Sequence, residues 1–83
     1  LRGDIIELPK GATIIDFAYK IHTDIGNHLY KAYINGKEVE LIQELNNKDR
    51  ILLLQNEDSH PEEEWLEHVV TSQARRQITK YFR

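Results

Sequence analysis

Apolar residues recur at a helical period in one stretch near the start of the chain. They occur at steps of three and four residues: Ile14, Phe17, Ala18, Ile21 and Ile25. This spacing is typical of an amphipathic helix, so the sequence predicts a helix over about 14–24. Four of these side chains are expected to face a sheet: Ile14, Phe17, Ala18 and Ile21.

Residues that start and end helices flank this stretch. Thr13 can cap the helix by accepting an N–H of its first turn, and Asp16 favours the positive end of the helix dipole. Gly26 can adopt the left-handed conformation that ends a helix. The polar segment that leaves the helix, His22–His28, is where we expect recognition to take place.

Shorter apolar runs before and after the helix predict strands. The run at 4–8 follows a turn, which implies a partner strand before it, so we expect the first strand of the domain to be truncated. The runs at 29–34 and 37–41 are joined by Asn-Gly at 35–36, which favours a two-residue hairpin turn. The most apolar run, 50–55, is predicted to be a central strand.

The last third of the chain is acidic and then helical. An acidic loop over 56–64 leads into a short apolar cluster: Trp65, Leu66, Val69 and Val70. Ser72 is predicted to cap a final helix with an apolar face of Ala74, Ile78, Tyr81 and Phe82. The order of elements predicts an α+β fold of the β-grasp (ubiquitin-like) type, a mixed sheet with one helix packed across it and a C-terminal helical tail. We expect a core over 1–56 and an extension over 57–83.

Length and composition limit the classes of protein that fit. A chain of 83 residues forms one domain with a small core, or is a piece of a longer protein. The absence of cysteine excludes disulfides and thiolate chemistry, and no apolar run approaches the ~20 residues that span a membrane. The net charge of −3 means that any contact with nucleic acid must be local.

Patterns that carry catalysis or hold metals are weak in this sequence. The histidines are spaced too irregularly for a compact metal motif: His22, His28, His60 and His68. The acidic residues over 57–67 lack the spacing of a calcium loop, and the Pro-Lys-Gly at 9–11 lacks the spacing of a phosphate-binding loop. The residues therefore predict a non-catalytic module without cofactor or metal, with an unrecognised enzyme as a minor alternative.

Aromatic and basic side chains give some support to a binding role. Three tyrosines are placed either to present ring faces on which unpaired bases stack or to pack in the core: Tyr19, Tyr30 and Tyr33. Scattered lysines could meet phosphates: Lys10, Lys20, Lys31 and Lys37. These residues favour a binding module over an enzyme.

The central stretch resembles the TGS domain, and more narrowly the TGS domain of long RelA/SpoT-type enzymes of the stringent response. The matching pattern, from Leu8 to Gly26, is Leu-Pro-x-Gly-x-Thr-x-x-Asp-Phe-Ala-Tyr-x-Ile-His-Thr-x-Ile-Gly. The Asn-Gly pair at 35–36 also matches. The segment from Trp65 to Phe82 is similar to the one that follows TGS in these enzymes, which separates them from threonyl-tRNA synthetases and Obg-like GTPases.

This resemblance implies a cytoplasmic regulatory module of a multidomain (p)ppGpp synthetase/hydrolase. The catalytic domains precede TGS in that family, so this chain is expected neither to make nor to hydrolyse (p)ppGpp. In ribosome-dependent members the TGS domain clamps the unpaired 3′ CCA end of deacylated tRNA, which is the leading hypothesis. In some bifunctional members it binds acyl carrier protein instead, and that protein or a neighbouring domain of the same chain is the alternative partner.

The resemblance places the candidate RNA-binding residues at the exit of the helix: His22, Asn27, His28, Tyr30 and Lys31. Asn27 and His28 would bond base or ribose groups, and Lys31 would meet a phosphate. Asn27 stands where the family usually has a histidine implicated in sensing the tRNA end, and His28 stands where arginine is common. Either His28 takes over that role after a small shift, or tRNA sensing is weakened.

Two further departures from the family pattern are Lys48 in place of a glycine and Gln77 in place of a basic residue. For the protein-binding alternative, the candidate residues are the basic side chains of the tail: Arg75, Arg76 and Lys80. Acyl carrier proteins are strongly acidic, so a basic patch would suit them. The net charge of −3 speaks mildly against this alternative.

Overall fold

The computed structural model describes residues 8–83. Its elements are α1 (Ile14–Ile21), α2 (Thr23–Asn27), β1 (Leu29–Ile34), β2 (Lys37–Val39), β3 (Ile51–Gln55), a 3₁₀ turn (Glu63–Glu67) and α3 (Ser72–Tyr81). The strand predicted over 4–8, together with the expected truncation before it, falls almost entirely outside the described residues. None of the helices within 8–83 has the length and hydropathy needed to cross a membrane.

The three described strands form an antiparallel sheet in the order β2-β1-β3. The predicted hairpin turn is confirmed, because Asn35 and Gly36 both have positive φ, 54° and 86°. Among the described strands β1 lies in the middle, and the prediction that the run forming β3 is central depends on the strand predicted over 4–8, which falls outside the described residues. The α+β arrangement is that of a β-grasp fold with a C-terminal helix.

The first helix is buried on more than the predicted face. Ile14 and Ala18 are fully buried as expected, but Ile15 and Tyr19 are fully buried too, while Phe17 and Ile21 are only half-buried. The reason is that α1 also packs against the extension, which adds its own side chains to the same core: Trp65, Val69, Ala74 and Ile78. The extension over 57–83 therefore shares one hydrophobic core with the helix.

The helix predicted over 14–24 is two helices. His22 has extended backbone angles (φ −167°, ψ 144°), so it ends α1 and begins α2. Gly26 does not end a helix in the left-handed conformation, because it lies within α2 and is not among the described residues with positive φ. Its backbone instead passes against the ring of Tyr19, where a β-carbon would lie 2.4 Å from the ring. The prediction that Gly26 ends a helix in the left-handed conformation was therefore wrong. The position suits glycine because a side chain there would clash with the Tyr19 ring.

Both predicted helix starts are present, one of them shifted by a residue. Thr13 and Asp16 form a reciprocal capping box at α1, as predicted. At α3 the cap is Thr71 rather than Ser72, because the Thr71 hydroxyl accepts from the Ala74 N–H at 3.2 Å. The same hydroxyl donates to Asp16 at 2.7 Å, so the start of α3 is tied to the start of α1.

Candidate nucleic-acid interface

The amide of Asn27, at the end of α2, is oriented by a buried tyrosine. The Tyr19 hydroxyl donates to Asn27 Oδ1 at 2.8 Å. Burial raises the pKa of this phenol well above its usual range, and the nearby Tyr81 raises it further, so Tyr19 stays a donor. Within the described part of the chain, the amino group of Asn27 has no hydrogen-bond partner. Since no described side-chain nitrogen or oxygen is both buried and unpartnered, this amino group reaches the surface with two N–H donors.

The ring of the next residue, His28, is held by a hydrogen bond to the backbone of Ser59. Its Nδ1 lies 3.0 Å from the carbonyl oxygen of Ser59 and must donate there, because a carbonyl only accepts. In the neutral ring Nε2 is then an acceptor, and no described residue bonds to it. The backbone carbonyl of His28 accepts from the Asn56 N–H at 3.0 Å. Consecutive residues thus offer a pair of donors and an acceptor.

Tyr30 and Lys31 form a second small group at the start of β1. The Lys31 ammonium lies 5.5 Å from the centre of the Tyr30 ring, within the range of a cation–π contact. Tyr30 is 48% exposed, and Lys31 is half-buried. The pair combines an accessible ring with a positive charge, which suits a base or a phosphate.

The structure does not bring His22 together with these residues. His22 begins α2, where its Nδ1 accepts from the Asp24 N–H at 3.0 Å, and His28 ends the same helix. The rise of an α-helix places the two histidines about 9 Å apart along the axis. His22 is exposed and serves as a helix cap, so its part in RNA binding stays a prediction.

Of the three tyrosines considered as stacking surfaces, two have other positions. The ring of Tyr19 is fully buried, so of the two alternatives open for this residue, packing in the core is the one observed. Tyr33 is half-buried in the sheet, opposite Glu38 on one side and Leu52 on the other. It lies four residues beyond Leu29, or about 13 Å along the strand.

A pair of exposed rings near His28 escaped the sequence analysis. The rings of His60 and Tyr81 are parallel within 8°, with centroids 6.4 Å apart. Phe82 meets Tyr81 edge to face, at 5.3 Å and 83°. The spacing along the chain gave no signal for this pair, and Tyr81 was assigned to the apolar face of α3. That face is buried at Ala74 and Ile78, but Tyr81 is 47% exposed.

The three basic candidates of the tail differ in their surroundings. Arg75 donates to the backbone carbonyls of Leu66 and Val69, both at 3.2 Å, so its guanidinium holds the 3₁₀ turn against α3. Arg76 and Lys80 are exposed and form no hydrogen bond or ion pair with the described residues. A basic partner surface, if present, therefore depends on Arg76 and Lys80.

The buried carboxylate of Asp16 is fully occupied by the protein itself. It accepts from the Val70 N–H at 3.1 Å and from the Thr71 N–H at 3.0 Å, in addition to the capping box with Thr13. Its side chain is therefore structural. In the part of the chain that the structure describes, no three His, Asp or Glu residues are grouped closely enough to hold a metal ion.

Comparison with known proteins agrees with the fold. The profile of the TGS domain family matches residues 2–55. Over 82 residues, or 99% of this chain, the sequence is 44% identical to guanosine-3′,5′-bis(diphosphate) 3′-pyrophosphohydrolase of Aquifex aeolicus strain VF5, and covers 12% of that protein. It is 42% identical to GTP pyrophosphokinase of Myxococcus xanthus over the same share of the chain, and covers 11% of that protein.

A third relative is the guanosine-3′,5′-bis(diphosphate) 3′-pyrophosphohydrolase of Haemophilus influenzae strain Rd, 37% identical over 99% of the chain and covered to 12% of its length. This chain thus spans about a tenth of the length of the curated relatives that it matches. The family profile covers most of the chain, and these relatives match it almost from end to end. The chain therefore belongs to the TGS domain family, in the form carried by RelA/SpoT-type (p)ppGpp enzymes.

Proposed function

We propose that this chain is a non-catalytic regulatory module of a cytoplasmic (p)ppGpp synthetase/hydrolase, and that it binds the unpaired 3′ CCA end of deacylated tRNA. In the full-length enzyme this would take place on the ribosome. The observation that carries the proposal is the pair of side chains at the end of α2. Asn27 is held by Tyr19 with its amino group outward, and His28 is held by Ser59 with Nε2 left as an acceptor.

A donor beside an acceptor suits the edge of an unpaired base. Adenine and cytosine each carry an amino donor next to a ring-nitrogen acceptor on the edge used for Watson–Crick pairing. In a duplex this edge is occupied, so groups that bind it select single-stranded ends. The lysine at the start of β1, Lys31, supplies the charge for a neighbouring phosphate.

The observed bond to Tyr19 bears on the substitution of the family histidine by Asn27. Because the Tyr19 hydroxyl fixes the amide by its oxygen, Asn27 can offer a fixed donor from the position where the family has histidine. This geometry supports the retention of tRNA-end sensing at Asn27, with His28 as an added acceptor. It favours a direct contact from Asn27 over a transfer of tRNA-end sensing to His28 alone.

The proposal predicts a small salt dependence. Each phosphate contact on single-stranded nucleic acid lowers log K by about 0.7 for each tenfold rise in salt. With Lys31 as the main phosphate contact and a net charge of −3, we expect a slope near that of one or two contacts. Binding would then depend on hydrogen bonds and stacking more than on charge.

Titration with a short RNA ending in CCA tests the proposal. We expect Asn27→Ala and His28→Ala each to lower affinity on the order of 5- to 100-fold, as for the loss of a base-specific contact. Asn47→Ala, at an exposed asparagine in the turn before β3, is the matched control and should bind as the unchanged chain does. RNA whose CCA end is paired in a duplex should bind weakly. Equal binding by all variants and both RNAs would refute the proposal.

The alternative partner is acyl carrier protein or a neighbouring domain, and one observation favours it. Arg76 and Lys80 are exposed on α3 without partners among the described residues. A pulldown with acyl carrier protein should then be lost on reversal of both charges to glutamate and be unaffected by His28→Ala. Arg75 is left unchanged in this test because its guanidinium holds the 3₁₀ turn.

A further inference from the structure

We propose that the rings of His60 and Tyr81 form a stacking platform for an unpaired nucleobase beside Asn27 and His28. The extension after the sheet would then complete the recognition site rather than only lead to the next domain. This inference rests on the proposed binding of an RNA end and adds to it the surface that receives a base by its face.

The two rings are parallel and belong to exposed residues. His60 and Tyr81 are parallel within 8°, with centroids 6.4 Å apart, and both side chains are exposed. Phe82 packs edge to face on Tyr81 at 5.3 Å, which supports the tyrosine ring from the side. The ring of His60 is held by a contact between its Nδ1 and the carbonyl oxygen of Pro61 at 2.9 Å. The platform is therefore ordered while its rings remain in contact with water.

Two connections place the platform next to the recognition residues. Ser59, which precedes His60, receives the hydrogen bond from His28 Nδ1. On the other side, Tyr81 lies at the end of α3, which packs against α1, and Tyr19 of α1 holds Asn27. Helices α2 and α3 are also in direct contact. The rings are thus linked to the hydrogen-bonding pair through Ser59 and through the packing of α3.

The chemistry of the two parts is complementary. Asn27 and His28 can bond the edge of one base, whereas ring faces hold a base without regard to its sequence, because every base has a π-face. Histidine and tyrosine are among the side chains that stack on splayed bases of single-stranded RNA. An apolar side chain from another protein segment could also cover exposed rings. The unused donors of Asn27 beside the rings favour a nucleobase over such a segment.

A fluorescent base tests the platform directly. The chain is titrated with a CCA-ended RNA in which 2-aminopurine replaces the terminal adenine, since this base loses fluorescence when it stacks. Wild-type chain should quench the signal on binding. Tyr81→Leu keeps an apolar side chain but removes the ring, so we expect quenching to be lost and affinity to fall on the order of 5- to 100-fold. Tyr33→Leu, the same change in the sheet, is the matched control and should leave both unchanged.

His60→Ser provides a second variant at an exposed position, in case Tyr81→Leu disturbs α3, and should also reduce quenching. Circular dichroism and thermal unfolding verify that each variant is folded.

Normal quenching and affinity in folded Tyr81→Leu and His60→Ser would overturn the platform and leave the proposed function standing. This result together with tight binding of an apolar peptide to the rings would identify a protein segment as the occupant. Absence of CCA binding by the wild-type chain would overturn the proposed function and the platform together.

Discussion

The two ends of the α1–α2 pair carry polar side chains in opposite situations. At the start of α1, Asp16 is 1% exposed, and its oxygens accept from Thr13, Val70 and Thr71. At the end of α2, Asn27 and His28 are half-buried, each with one polar atom bonded inside the protein and another unbonded among the described residues. The first arrangement stabilises the fold, and the second leaves capacity for a ligand. A polar residue can bind a ligand only where its neighbours in the fold leave some of its hydrogen-bonding groups without a partner.

The largest effect is expected from removing the Asp16 carboxylate. Asp16→Ala leaves the buried N–H of Thr13 and the partly buried N–H groups of Val70 and Thr71 without their acceptor, and each buried unsatisfied group costs about 1–3 kcal/mol. We expect the free energy of unfolding to fall by about 3–5 kcal/mol, measured by urea denaturation. Asp24→Ala is the matched control, because the Asp24 side chain is 76% exposed and should change stability by less than about 0.5 kcal/mol. Similar losses in both variants would show that the Asp16 network is not a structural anchor.

The next effect concerns the close packing at the other end. Gly26→Ala places a β-carbon 2.4 Å from the Tyr19 ring, so the ring or the helix must move. Overpacking of this kind costs about 1–3 kcal/mol. The same substitution in a Tyr19→Leu background should cost less, because the ring is gone, and a double-mutant cycle on thermal unfolding measures the difference. Additive effects would mean that the glycine and the ring do not interact.

Tyr19→Phe separates the hydrogen bond from the packing. The ring against Gly26 is retained, and only the hydroxyl that orients Asn27 is lost. We expect a loss of stability of about 1 kcal/mol, the usual contribution of one hydrogen bond. The affinity for CCA-ended RNA should fall several-fold, because the amide is no longer held with its donors outward. Tyr33→Phe is the control, and unchanged RNA binding by Tyr19→Phe would contradict an orienting role.

The smallest effect lies outside both ends, in the turn before β3. Lys48 has φ 70°, a left-handed conformation that costs a side-chain-bearing residue roughly 1 kcal/mol. Lys48→Gly should therefore raise the free energy of unfolding by up to about 1 kcal/mol, partly offset by the entropy of glycine in the unfolded chain. RNA affinity should not change. Destabilisation by this substitution would show that the turn tolerates lysine without strain.

Features that depend on near neighbours in the sequence were predicted well. Thr13 and Asp16 are three residues apart, and Asn35 and Gly36 are adjacent, so their geometry follows from local rules. The break at His22 was missed because the apolar period continues across it to Ile25. The role of Gly26 was missed because it depends on a ring seven positions earlier that folds back against the helix.

The candidate site shows the same division. The segment of recognition residues could be chosen from the sequence, and Asn27 and His28 do lie together at the end of α2. The sequence could not show that His22 serves as a helix cap or that His60 and Tyr81 are parallel neighbours. The His22 cap is local, but the apolar period that runs on to Ile25 hid the helix break that it caps. The ring pair depends on a contact between residues 21 positions apart, which no local pattern encodes.

By itself, the sequence determined the three described strands, the final helix, the cap of α1, the hairpin turn and the family. Hydrophobic period, turn chemistry and capping act over a few residues, so they can be read directly. Only the tertiary structure decided that Asp16 binds Thr71, 55 residues away, and that Tyr19 holds Asn27. When the extension packs against α1, Val70 and Thr71 donate hydrogen bonds to Asp16. The amino group of Asn27 and Nε2 of His28 have no partner among the described residues. The physical reason is that folding decides which hydrogen-bond partners a polar group meets, and those partners come from distant parts of the chain.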